Sequence, residues 1–309
     1  MNRSASTAPG AAPSHGNARS IAAMLVAVAF FALMDVVLKL LGQHYPAVQV
    51  AALRGWTALP LVLAYLAARR SWARVWRVRW PLHALRGVLA VVMLTSFTWS
   101  LQTLPLANAY TLFFVAPLLI TLLAIPLLGE RVPRAHLGSV VAGLVGVVIA
   151  LRPVPGAFLG WAGLAVLLSA ACYAASAVLG RLACRTDAPD SLVWWSMVAL
   201  AVGGTALAWP HWQPVQAQHA GWLVALAVTG FVAQLAITEA FRHGQASAVA
   251  PFEYSALLWG VALDALLWRV WPDGYTLLGA AVIVAAGLYL LRHERLHAQR
   301  EVHTGTPHP

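Results

Sequence analysis

Ten stretches of nearly uninterrupted apolar residues organise the chain, at residues 21–41, 47–67, 82–101, 106–128, 135–151, 158–180, 191–209, 220–241, 246–268 and 275–291. Each is about 17 to 23 residues long, enough for a helix to cross a hydrocarbon core of ~30 Å. The connections are short and carry helix breakers, among them Pro46, Pro81, Pro133, Pro153, Pro189, Pro210, Gly244 and Pro272. The pattern predicts an all-α integral membrane fold of ten transmembrane helices. Residues 1–19, rich in Ala, Ser, Pro and Gly, read as a disordered N-terminal tail, and residues 293–309 as a C-terminal tail. The first run is about twice the length of a signal-peptide core and no good cleavage site follows it, so it reads as a retained helix.

A repeat is visible within this pattern. Leu106-Ala107-Asn108-Ala109 is followed by Pro133, Gly138 and Gly146, and Gln245-Ala246-Ser247-Ala248 by Pro272, Gly279 and Gly287. The glycines are eight apart in both copies. Two halves of five helices follow, residues 20–152 and 157–292. Because five is odd, the second half must thread the membrane in the opposite sense, and inverted repeats of this kind belong to transporters, whose site lies near the midplane between the halves.

Charge adds orientation. Fifteen of the basic residues fall on one side of this topology, from Arg3 and Arg19 through Arg69–Arg79 to Arg300, against Arg152 and Arg269 on the other. The positive-inside bias places both termini in the cytoplasm, of an inner membrane. With 61% hydrophobic and 10% charged residues, a water-soluble globule is excluded. The net charge of +10 therefore reports membrane orientation and not nucleic-acid binding. Between residues 69 and 80, Trp72, Trp76 and Trp80 recur every four residues among arginines, as in an interfacial helix that anchors the cytoplasmic side. Cys172 and Cys184, twelve apart on or beside one helix, are too distant to bridge. No metal-ligand, phosphate-loop or other cofactor pattern is present, and any uphill work must draw on an ion gradient or another subunit.

The segment Leu101-Gln102-Thr103-Leu104-Pro105-Leu106-Ala107-Asn108-Ala109 continues through Phe113-Phe114-Val115-Ala116-Pro117-Leu118 to Leu128-Gly129-Glu130-Arg131-Val132. It resembles the signature of EamA-type proteins of the drug/metabolite transporter (DMT) superfamily, as do Phe30-Phe31-Ala32-Leu33-Met34-Asp35 and Arg54. The resemblance covers roughly residues 20–292. It implies two inverted five-helix halves around a central cavity, with the fifth and tenth helices toward the back. It also implies transport of small polar or amphipathic metabolites, often export of amino acids or related compounds, across the inner membrane. The second copy departs from the pattern: Leu267-Trp268-Arg269 stands opposite Leu128-Gly129-Glu130, so Glu130 has no symmetric counterpart and reads as structural.

An ionisable group within a span costs roughly 2.5–3.5 kcal/mol on insertion scales and so faces a partner or a wet cavity. Asp35 and Lys39 share a face of the first helix, at a depth comparable to Arg54 on the second. They form either a charged wall for a zwitterionic substrate or an internal ion pair locking helix 1 to helix 2, with Lys39 the residue to snorkel outward. Arg86 and Glu253 lie at depths that allow a pair near the cytoplasmic side. Glu253 follows Pro251 and shares a stripe with Gly260 and Asp264; it is the leading substrate or proton group, and Asp35 is the second proton-coupling candidate. Asp264 and Glu239, nearer helix ends, read as headgroup-level residues.

Ser169, Tyr173, Ser176 and Gly180 form a stripe on one helix, and Arg86, Met93, Phe97 and Ser100 another; each marks a cavity or a helix seam. Asn108, Tyr110, Thr111, Gln234 and Thr238 are similar cases. The candidate substrate residues are thus Asp35, Arg54, Arg86, Phe97, Asn108, Tyr110, Tyr173, Ser176, Gln234 and Glu253. The expected function is a secondary-active carrier of a small polar or amphipathic metabolite, an exporter working by alternating access and coupled to protons. An importer of the same fold, for an S-adenosylmethionine- or vitamin-like solute, is the alternative, and a lipid-acting membrane enzyme or a sensor ranks well below both. Its partners are the solute, the lipid bilayer and protons, no nucleic acid is implied, and a homodimer is left open.

Overall fold

The computed structural model describes residues 14–128, 138, 141–142, 145–146, 148–149, 160–184, 186–243 and 255–304, and the regular elements among them are all helical. They are α1 (Ser14–Gly42), α2 (Ala47–Ala68), α3 (Trp72–Trp76), α4 (Trp80–Leu101), α5 (Leu106–Phe113) and α6 (Ala116–Leu128). After the Gly138–Ile149 region come α7 (Trp161–Ala183), α8 (Pro189–Val198), α9 (Gly204–Ala208), α10 (Ala220–His243), α11 (Ala256–Leu263) and α12 (Gly274–Thr304). α1 begins at Ser14, inside the segment expected as a disordered tail. Among the described residues, six helical segments are long and apolar enough to span a membrane: Ala22–Gly42, Ala47–Ala68, Trp80–Leu101, Trp161–Gly180, Asp190–His211 and Ala217–Ile237. Shorter apolar helices occupy Leu106–Ile120, Ala256–Trp268 and Gly274–Ala286. The chain is a multi-pass membrane protein.

Two expected spans depart from a regular α-helix. The run 106–128 breaks at Phe114–Val115 into α5 and α6. Pro117 has no N–H to give to the carbonyl four residues back, so the turn closes through Phe114 N–H to Tyr110 and Leu118 N–H to Val115. In the other, α11 passes into a wide π turn at Asp264–Trp268, which ends with Arg269 in the left-handed conformation at φ 55°. A second π turn, Ala199–Gly203, joins α8 to α9.

These irregular turns are where helices approach most closely. A Cβ on Gly55 of α2 would lie 2.8 Å from Cα of Ala201 in the π turn, and one on Gly204 would lie 3.0 Å from Cα of Ala52. In lipid, where apolar burial does not distinguish a helix from a tail, such backbone proximity supplies the packing. The same logic holds for Gly146, whose Cβ would meet the carbonyl oxygen of Gly279 on α12 at 2.9 Å. Elsewhere α1 lies along α10, where Met24, Ala27 and Val28 enclose Ala240, and α4 lies along α7. Leu38, Leu41, Leu101, Leu106 and Ile283 are fully buried in the main core.

Both ends of the bundle are tied by aromatic clusters. At one, α3 and the start of α4 meet α8: the rings of Trp76 and Trp80 lie 5.4 and 4.6 Å from Trp195, and Trp72 lies 6.2 Å from Trp194. The Trp195 indole N–H donates to the Val75 carbonyl at 2.9 Å. The expected anchoring helix thus binds its own bundle through the tryptophans. At the opposite end the Tyr45 hydroxyl accepts from Gln216 N–H at 3.0 Å and shares a hydrogen bond with His219 Nδ1 at 2.7 Å, while His219 stacks on Trp222 with ring centres 4.6 Å apart.

Candidate functional site

The polar groups inside the bundle sort into separate partnerships. Gly260 lets α11 press against α5, since a Cβ there would fall 2.8 Å from Tyr110 Cδ2 and 3.2 Å from Cα of Ala107. One turn further on, Asp264 Oδ2 accepts the N–H of Ala107 at 2.8 Å. A carboxylate from α11 therefore caps the first turn of α5, where free N–H groups and the helix dipole favour negative charge. Its Oδ1 lies 3.6 Å from Lys39 Nζ, which also donates to the Leu104 carbonyl at 3.0 Å and sits 4.3 Å above the Trp268 ring. This corrects two expectations. Asp264, only 1% exposed, is a buried ion partner and not a headgroup-level residue, and Lys39 turns inward to it and not out to water. The cause is the close α5–α11 approach, which brings an otherwise peripheral carboxylate beneath the packed surface.

Asp35 is likewise buried, and its Oδ2 accepts the Tyr110 hydroxyl at 2.7 Å. No Asp35–Arg54 or Lys39–Asp35 ion pair forms among the described residues, so the lock of helix 1 to helix 2 gives way to contacts from α1 to α5 and α11. Arg54 instead points its Nε at Met34 Sδ, 3.2 Å away, and Nη1 at Met197 Sδ, 3.7 Å away.

The expected aromatic residues Phe97, Tyr110 and Tyr173 are joined by Phe113 into one chain of rings. Phe97 stacks parallel to Tyr110 at 6.5 Å, Phe113 lies 5.6 Å from Phe97, and Tyr173 follows 5.4 Å from Phe113. Next to them, the Asn108 side-chain oxygen is buried without a hydrogen-bond partner. The two stripes meet as a seam: Ser169 Oγ donates to the Met93 carbonyl at 3.0 Å, and Arg86 Nε donates to the Ser176 carbonyl at 3.2 Å. Arg86 Nη1 is buried with no hydrogen bond. Glu253, and with it the expected Arg86–Glu253 pair, lies outside the described residues.

Two of the expected residues line a common hollow. Between α2, α8 and α10 a small cleft has Arg54 and Gln234 on its wall, together with Tyr65, Phe231, Met197 and Asp190. On α2 the lining residues Arg54, Ala58, Val62, Tyr65 and Leu66 fall on one helical face, so the cleft runs from mid-helix toward the tryptophan-rich end. The Tyr65 and Phe231 rings meet edge to face at 6.4 Å. At the other end the connections close over the bundle: Gln49 exchanges two hydrogen bonds with the Gln213 backbone, at 2.6 and 2.9 Å, and Gln102 donates to the Gly42 carbonyl at 2.6 Å. Tyr65, Phe231, Met197 and Asp190 were not singled out from the sequence. The spacing of Tyr65 from Arg54, eleven residues or three turns, was the available signal.

Near the cleft end, outside the spans, Asp187 accepts three hydrogen bonds, from Arg79 N–H at 2.9 Å, His83 Nε2 at 2.9 Å and Thr186 Oγ1 at 2.7 Å. Burial pushes its carboxyl up, but these donors outweigh it together and hold the group below the usual carboxylate value.

The chain matches the model of the EamA-like transporter family twice, over residues 18–152 and 160–292. It is 32% identical over 276 residues to a riboflavin transporter of Rhizobium johnstonii, a stretch covering 88% of this chain and 90% of the relative. The pseudopaline exporter CntI of Pseudomonas aeruginosa is 27% identical over 267 residues, 86% of this chain and 93% of that one. An S-adenosylmethionine uptake transporter of Rickettsia conorii is 26% identical over 271 residues, 86% and 90% respectively. A solved crystal structure with 22% identity superposes with a TM-score of 0.62 over 89% of this chain and 98% of its own, a likeness of fold.

Proposed function

The chain belongs to the EamA-like transporter family, and we propose that it is a secondary-active carrier of the inner membrane that moves a small polar or amphipathic metabolite by alternating access. Its two halves, residues 20–152 and 157–292, are read as inverted five-helix units, and the twofold family match supports that division. Both termini lie in the cytoplasm on this reading, because the arginine-rich segment 69–79 marks that side.

One observation carries the proposal: the bundle is tied shut at the end of Tyr45, Gln49 and Lys39, while a cleft reaches inward to Arg54 from the other end. That is the form of a carrier closed on one side and loadable on the other. With the arginine-rich side cytoplasmic, the cleft opens to the cytoplasm, where an exporter loads its solute and an importer releases it; export is the reading that the family resemblance favours. Import by the same cycle is the second reading, favoured by the relatives named for uptake.

Asp35 and Glu253 remain the proposed proton-coupling groups, and Asp35 is suited to the role by its burial and its single hydrogen bond from Tyr110. Untargeted profiling of cells and medium, with the gene overexpressed and deleted, identifies the solute and the direction; unaltered levels of every solute would sink the carrier reading. In proteoliposomes, Asp35→Asn combined with Glu253→Gln is expected to abolish acceleration of flux by a proton gradient. Retained acceleration refutes the coupling.

A further inference from the structure

We infer that Arg54 docks a negatively charged group of the transported solute, and that the solute carries an apolar, ring-like body seated against Tyr65 and Phe231. The inference rests on the carrier reading and names the class of solute for the same cleft.

Lys39 of α1 and Arg54 of α2, inward-facing cations on neighbouring helices, are satisfied differently. Lys39 has a carboxylate partner, Asp264. Arg54 makes no salt bridge among the described residues; two of its donors end on the thioether sulfurs of Met34 and Met197, which are weak acceptors. The Asp35 carboxylate acts on it through space, but the hydrogen bond it accepts comes from the Tyr110 hydroxyl. A guanidinium whose donors meet no oxygen keeps its fork open, and that geometry suits a carboxylate or phosphate with two oxygens. Here it faces a cleft.

A glycine keeps the guanidinium uncovered. A Cβ on Gly230 would stand 3.1 Å from Met34 Sδ and 3.6 Å from Arg54 Nη2, so any longer side chain at this position would press on the sulfur and lie against Nη2. The two methionines hold the arginine in place through soft, adaptable contacts and give its fork no oxygen acceptor. Below it the wall turns apolar and aromatic, with Val62, Val193 and the Tyr65–Phe231 pair, which offer face and edge to a flat ring. Asp190 lines the same cleft seven residues before Met197, about 10 Å along α8 at ~1.5 Å per residue. Its charge disfavours a second anionic group on the solute at that distance. The occupant thus carries a single anionic group, at one end of an apolar body.

The test uses full-length protein in lipid nanodiscs and three probes with one ring and different heads: indole-3-acetate, indoxyl phosphate and indole-3-acetamide. Calorimetric titration is expected to show at least one anion binding about tenfold to a hundredfold more tightly than the amide, the ordinary contribution of hydrogen bonds to a charged group. The stronger of the two anions tells a carboxylate solute from a phosphorylated one. Arg54→Gln should erase the preference while leaving amide affinity within about threefold, and Phe231→Ala should weaken all three probes. Should Arg54→Gln fail to fold, Gly230→Leu, whose side chain would lie against Nη2, must give the same loss of preference. Equal affinity for anion and amide, a preference that survives both substitutions, or no binding of either anion at millimolar concentration overturns the assignment. Binding is measured without flux, so a selective binder that moves no solute in vesicles counts against the carrier reading alone.

Discussion

The Lys39–Asp264 pair gives the sharpest energetic test, because Asp264→Asn separates its two roles. An asparagine keeps a side-chain oxygen for the Ala107 N–H, 2.8 Å away, and replaces the charged oxygen facing Lys39 with an uncharged NH2. The lysine side chain is 11% exposed and the aspartate 1%, so neither charge is well hydrated once its partner is gone. Removing one member of a buried pair costs about 3–5 kcal/mol. Lys39 retains the Leu104 carbonyl and the Trp268 face, which places Asp264→Asn near the lower bound, about 3 kcal/mol. Lys39→Met strands the carboxylate and should cost a similar amount. The double variant strands neither charge and should lose no more than about 2 kcal/mol, since replacing both members with uncharged groups is often close to neutral. The expected coupling is therefore about 4 kcal/mol, the difference between two single losses of about 3 and a double loss of about 2. Equilibrium unfolding in mixed detergent micelles reads all four corners of the cycle. Single losses that simply add would show that the two charges do not depend on each other, and the account of a buried interhelical pair would be wrong.

Two further predictions concern other parts of the bundle. Gly55→Leu should lower the recovery of monodisperse protein and destabilise it by about 1–3 kcal/mol or more, because the new side chain meets the Ala201 backbone. Gly203→Ala, whose Cβ would have its nearest contact at 3.8 Å, should stay within about 0.5 kcal/mol, and size-exclusion profiles and melting curves distinguish the two. The stability due to Asp187 should be fully present above the ordinary carboxylate value of 3.8 and be lost as pH falls below it toward the group's lower folded value. Asp187→Asn should accordingly flatten the dependence of melting temperature on pH in that acid range, and an unchanged slope would contradict the hydrogen-bond account.

The spans were legible where composition alone decides them. The expected run 47–67 became α2, Ala47–Ala68, and 82–101 became α4, Trp80–Leu101, because twenty apolar residues bounded by Pro46 or Pro81 leave few alternatives. The break at Phe114–Val115 had a sequence cue in Pro117, but proline is common within membrane helices and does not announce by itself whether it bends or breaks one. The depth of Arg54 was legible from its distance to the helix end, whereas its partners were not, since they come from α1 and α8. Tyr65 and Phe231 escaped notice because an aromatic facing a cleft and one facing lipid have the same sequence neighbourhood. Asp264 was misplaced for a related reason: its burial depends on Gly260 admitting α5, a contact across more than 150 positions of chain.

The five indoles gathered at Trp72, Trp76, Trp80, Trp194 and Trp195 have an optical consequence. Neighbouring members lie between 4.6 and 6.4 Å apart and belong to segments from either half of the chain. Transitions this close couple excitonically, so their near-ultraviolet circular dichroism depends steeply on mutual angle. Any swing of α8 against the α3–α4 corner would rewrite that spectrum, giving the native protein a label-free reporter of motion at the mouth of its cleft.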